Sequence, residues 1–157
     1  MTSTYIEAYN EMVKMLNDAW TTGTPAITTY IPDINWQGNE YEGEQFVDKY
    51  YATFEVQVVD EVQKTLQGSL DGNGARRYNN IGVVIIDIYA PISISNHMLK
   101  LRELSVVARN AFRGKESPSG VVFYNAKFVE AGLATAASSS NFYKSVVTAE
   151  YSFDDIS

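Results

Sequence analysis

The chain has 157 residues, 45% of them hydrophobic and 20% charged, and it contains no cysteine. That is about one domain's worth of sequence with enough apolar surface for a core, which excludes wholesale disorder, disulfides, thiolate nucleophiles and thiolate metal sites. A net charge of -7 at pH 7 argues against a duplex-binding surface, because affinity for phosphates comes largely from Lys and Arg displacing counterions.

From Tyr5 to Trp20, the residues Ile6, Tyr9, Val13, Leu16 and Trp20 recur at spacings of three and four, the stripe of an amphipathic helix. Thr4 or Ser3 would cap it, and Glu7 suits its positive end. Thr21 to Pro25 ends it. Ala26 to Ile31 reads as a short strand, and Asn35 to Glu44, rich in Gly, Asn and Glu, as a loop anchored by Trp36 and Tyr41. Tyr50 to Val59 alternates, with Tyr50, Ala52, Phe54, Val56 and Val58 on one face and Thr53, Glu55 and Gln57 on the other. The piece Asp60 to Ala75 contains Asp71-Gly-Asn73-Gly, residues that tolerate the positive φ of tight turns.

The longest apolar strand runs from Arg76 to Tyr89. Ile81, Val83, Ile85 and Tyr89 fall on one face and Val84, Ile86 and Ile88 on the other. A sheet with one wet side would alternate instead, so both faces are expected to be covered, one by the next helix and the other by more of this chain or a neighbouring subunit. Pro91 closes the strand, and Ser93, Ser95 and Asn96 offer caps to a helix carrying Leu101, Leu104, Ala108 and Phe112 on its buried stripe. Gly114 is its expected left-handed terminator. Val121 to Val129 alternates, with Val122, Tyr124, Ala126 and Phe128 on one side. Gly132 to Asn141 is Ala- and Ser-rich and reads as a connection. Phe142 to Phe153 forms the last strand, with Tyr143, Val147, Ala149, Tyr151 and Phe153 on one face. The order α, β, β, β, α, β, β predicts a single α+β domain over 1–157, two helices packed on one face of a mainly antiparallel sheet.

No apolar run approaches the roughly 20 residues of a membrane-spanning helix. Met1 to Glu7 has neither the basic region nor the apolar core of a secretion signal, and the absence of cysteine fits a reducing cytosol. Phosphate-loop, dinucleotide and serine-nucleophile motifs are also absent. One histidine without cysteine leaves only carboxylate clusters for a metal, and Asp71 to Gly74 lacks calcium-loop spacing, so no metal or cofactor is expected. His97 near a helix start reads as a surface or capping residue.

Asp87, a carboxylate in the most apolar strand, is either a general base with a raised pKa, one half of an ion pair with a neighbouring strand's Lys or Arg such as Lys144, or a residue exposed at a subunit edge. Arg76 and Arg77 at the strand start read as a solvated end or an inter-subunit salt bridge rather than a phosphate contact. Glu40, Glu42, Glu44 and Asp48 form the densest acidic run, either a solvated face or the lining of a pore.

Several pieces carry a resemblance: Phe142-Tyr-Lys-Ser-Val-Val-Thr-Ala-Glu-Tyr-Ser-Phe-Asp-Asp155, Gly82-Val-Val-Ile-Ile-Asp-Ile-Tyr-Ala-Pro91, the helix from Leu101 to Phe112, and Val121 to Gly132. Together they resemble tail terminator-like proteins of long-tailed bacteriophages, by pattern over most of the chain. That resemblance implies a virion structural protein and no enzyme: a ring, commonly a hexamer, that caps the tail tube, stops its polymerisation and offers the surface on which the head-completion or connector protein docks. It further implies that the connections 60–75 and 132–141 contact partners, which makes Asp71 and Asn73 candidate contact residues; Arg76 and Arg77 join them through the inter-subunit salt-bridge reading, and Asp87 through exposure at a subunit edge. The acidic run Glu40, Glu42, Glu44 and Asp48 would line a lumen that lets genomic DNA slide through. The chain would be made in the host cytoplasm and reside in the virion tail. Two other readings compete. One is a small enzyme or ligand carrier resembling the conical-sheet ketosteroid isomerase-like proteins, with Asp87 and His97 or a tyrosine as base and acid. The other is a monomeric host-modulating binding module.

Overall fold

A computed structural model of the chain describes residues 4–38, 49–63, 77–133 and 142–156. The elements are α1 (Tyr5–Gly23), α2 (Pro25–Thr28), β1 (Asp33–Trp36), β2 (Tyr51–Gln63), β3 (Arg77–Pro91), α3 (His97–Phe112), β4 (Val122–Leu133) and β5 (Phe142–Ile156). One five-stranded sheet has the order β1-β2-β3-β5-β4, antiparallel except for the β1·β2 pair. The α+β class and the one-sided helical layer are therefore as expected from the sequence.

Helix α1 begins with a reciprocal cap: Thr4 Oγ1 accepts from the Glu7 amide, and the Glu7 carboxylate accepts from the Thr4 amide at 3.0 Å. Its buried stripe is Ala8, Met12, Leu16 and Trp20. Trp20 Nε1 donates to the Pro32 carbonyl at 2.7 Å, which fixes the chain as it enters β1. Helix α3 presents Leu101, Leu104, Ala108 and Phe112, all fully buried, and Gly114 follows with φ +66. These side chains meet Phe54, Val84, Ile86, Ile88, Val147 and Tyr151 from the sheet in one core. Between α3 and β5, the buried hydroxyls of Ser105 and Ser145 lie 2.7 Å apart.

Four local expectations are corrected. Ala26 to Ile31 is not a strand: Pro25 sits at the first position of the helical turn α2, where its fixed φ and missing N–H cost nothing, and Thr29 ends that turn at φ 69. The first strand comes later, so Trp36 lies in β1, parallel to β2, rather than in a loop. The expected face of β4 is also split. Asn125 takes φ 53 at a bulge between Tyr124 and Lys127, so Val122 and Tyr124 share the outer face while Phe123 and Phe128 turn to the core. Asn96 occupies the N-cap of α3 at φ 59 without a side-chain cap bond, so the expected serine and asparagine caps do not form there.

Along β2 and β3 the antiparallel register runs from Tyr51↔Tyr89 to Gln63↔Tyr78, with a bulge between Val58 and Asp60. Beside this bulge, a Cβ on Gly82 would collide with the Gln57 carbonyl oxygen and the Tyr151 hydroxyl, so glycine is the residue that lets three strands approach here.

Candidate functional site

The two faces of the sheet differ. Val84, Ile86, Ile88 and Ala90 of β3 point into the helical layer and are buried, whereas Ile81, Val83, Ile85, Asp87 and Tyr89 point away and are only partly covered. Among the described residues no element packs over this second face. Among the described residues, the expected two-sided burial is thus met on the helix side alone.

Pairing registers place the rest of the open face. One row reads Thr53, Asp87, Val146, Val129; the next Glu55, Ile85, Thr148, Lys127; the next Gln57, Val83, Glu150, Tyr124. Val129 is 60% exposed, and Val122 and Tyr124 are also exposed. A groove of about 480 Å³ crosses the face, floored by Ile81, Val83 and Thr148 and rimmed by Val59, Asn125, Lys127 and Glu150. Asn125 Nδ2 donates to Glu150 Oε2 at 2.5 Å.

At one end of this face Tyr51 and Tyr89 stack at 4.5 Å with Phe142 edge-on, an aromatic cluster separate from the main core. Burial pushes the Tyr51 phenol up to about 12 and raises Tyr89 as well, so both remain protonated donors at neutral pH. The cluster escapes a reading by alternation because Tyr50 and Tyr51 are adjacent aromatics that face opposite ways. Only Tyr51 shares the face of Tyr89, which the pairing register shows.

Asp87 lies beside this cluster. Its carboxylate is 3.5 Å from Lys144 Nζ, the partner expected from the sequence, and its side chain is 23% exposed. Burial raises its pKa; the nearby Lys144 ammonium opposes the shift and the Glu55 charge adds to it. His97 stands on the other side of the sheet: its Nδ1 is 3.1 Å from the Ile94 carbonyl, and its ring stacks on Tyr143 at 5.1 Å. Asp87 and His97 are therefore separated by the sheet and do not form an acid and base pair.

Arg77 is not grouped with Asp87. It donates through Nε to Asp154 Oδ2 at 2.8 Å on the adjacent strand, ten residues from Asp87 along β3. Arg76, Asp71, Asn73, Glu40, Glu42, Glu44 and Asp48 lie outside the described residues. Among the described residues there is no group of three or more His, Asp or Glu side chains arranged to hold a metal ion, and no helix is long and apolar enough to cross a membrane. The arrangement supplies an apolar surface with fixed charges.

No protein-family model matches the sequence, and no curated protein matches it. Among the solved structures similar to the chain, one matches at TM-score 0.49 and 11% identity, over 90% of this chain and 94% of that one.

Proposed function

We propose that this chain is a virion structural protein that caps the end of a phage tail tube as a ring, commonly a hexamer, stops tube growth and forms the joint to the head connector. The observation that supports the reading most is the open sheet face. Ile81, Val83, Ile85 and Val146 are half-buried there, and Val122, Tyr124 and Val129 are exposed around them. Covering each such side chain is worth about 25 cal/mol per Å² of apolar surface removed from water, so the face favours association. Its half-buried carboxylate is ion-paired with Lys144, which suits a contact surface better than a reacting group. The acidic balance of the chain fits a lumen that lets genomic DNA pass without gripping it. The partners of this reading are further copies of the chain, the tail tube protein and a head-completion or connector protein, in the virion tail after synthesis in the host cytoplasm.

The isomerase-like alternative asks for a hollow beside Asp87. Asp87 faces away from the helices, and the space between helices and sheet is filled by Leu16, Trp20, Phe54, Leu101 and Leu104. Electron microscopy of tails assembled with and without the protein tests the proposal. Tails made with it are expected to end in a ring at a defined length, and tails made without it, or with Val83→Lys, to lack the ring and overgrow. Rings and normal lengths in the protein's absence would end this reading.

A further inference from the structure

The open face carries charges whose layout matches itself. Glu55 on β2 and Lys127 on β4 share one row, Glu55↔Ile85↔Thr148↔Lys127, and both are exposed. Three strand spacings, about 14 Å, separate them, so they do not reach each other within one chain. We propose that in solution the open face is covered by the same face of a second copy, across a two-fold axis running along the strands between β3 and β5.

Such an axis exchanges β3 with β5 and β2 with β4 and keeps each row in place. Glu55 of each copy then meets Lys127 of the other, two identical contacts from one symmetry operation. In the adjoining rows Thr53 meets Val129 and Gln57 meets Tyr124. Tyr89 faces Lys144 of the second copy, the same cation-over-ring pairing that Lys144 makes with Tyr89 in its own chain at 5.9 Å. Glu150 meets Val83 while its carboxylate is held by Asn125. Four strands over the length from Ile81 to Tyr89 give a flat footprint of about 500 Å² per copy, or about 1,000 Å² in all, which is the scale of a weak, reversible interface. Aligned sheets packed face to face about 10 Å apart are a standard arrangement. The dimer would form whether or not the chain caps a tail. In a tail-capping protein it would keep the apolar face shielded until a tube end competes for it.

Charge reversal tests the geometry. Light scattering and sedimentation should find the wild-type chain dimeric at about 100 µM, and Glu55→Lys or Lys127→Glu alone should weaken dimerisation roughly tenfold or more, since each creates two like-charge contacts. Mixing the two single variants one to one should restore the dimer, because every contact between unlike variants is again a Lys against a Glu. The E55K/K127E double variant should also restore it. Thermal melts of all variants, taken at dilutions where wild type is monomeric, should match wild type. A monomeric wild type, or a mixture that fails to associate, would overturn the two-fold face. A wild-type hexamer in solution would also overturn it and would strengthen the ring reading instead.

Discussion

Asp87 shows how a single side chain depends on its neighbours. Its carboxylate is held above the ordinary Asp range by burial, and Lys144 limits the shift. The folded chain therefore holds a proton that the unfolded chain has already released, over the interval between the ordinary pKa and the raised one. Stability falls as pH rises through that interval, and the full cost of burying the charge is present above it. Lys144→Met removes the compensating ammonium and widens the interval. Urea unfolding should show this variant destabilised by about 1–3 kcal/mol at neutral pH, with the deficit shrinking as the pH falls toward about 4. A deficit independent of pH would mean that the lysine contributes only packing. The ion pair was legible from the sequence because a lone carboxylate in an apolar strand requires a cation on an adjacent strand. Glu55 and Lys127 were not, since three strands of register had to be known before they fell in one row.

Elements whose apolar periodicity ran unbroken were readable: α1, α3, β2, β3 and β5 all lie close to where spacing placed them. The errors came where one residue's backbone overrides the pattern. Val121 to Val129 continues to alternate in the sequence, and nothing in that alternation reveals that Asn125 takes a positive φ and resets the faces. In Ala26 to Ile31, the β-branched residues argued for a strand, yet Pro25 at a helix start outweighed them. The strands also show where they cannot give way. Gly82→Ala forces a methyl group into the Gln57 carbonyl and the Tyr151 ring, where β2, β3 and β5 come together. It should cost about 1–3 kcal/mol, read as a lower denaturation midpoint with an unchanged slope. A neutral result would mean that the β2 bulge moves freely.

On the scale of the whole molecule, the helices and the sheet share one hydrophobic core, with side chains from α1, α3 and strands β2 to β5 in mutual contact. Calorimetry should therefore record a single transition whose measured and van't Hoff enthalpies agree. Two resolved transitions would show that the sheet and the helical layer unfold separately. The open face lies outside that core, so charged substitutions there should alter association far more than melting temperature.

The order of the sheet also bears on how the chain reaches its fold. Strand β3 lies between β2, its neighbour in sequence, and β5, whose residues arrive much later: Asp87 pairs with Val146, and Arg77 with Ile156. During synthesis the early hairpin emerges with one margin of β3 still lacking its partner, and closing so long a loop is slow compared with forming a local turn. Until the ribosome has released β5, the nascent chain presents an apolar strand to its surroundings, and chaperones have their best opportunity to bind it in that interval.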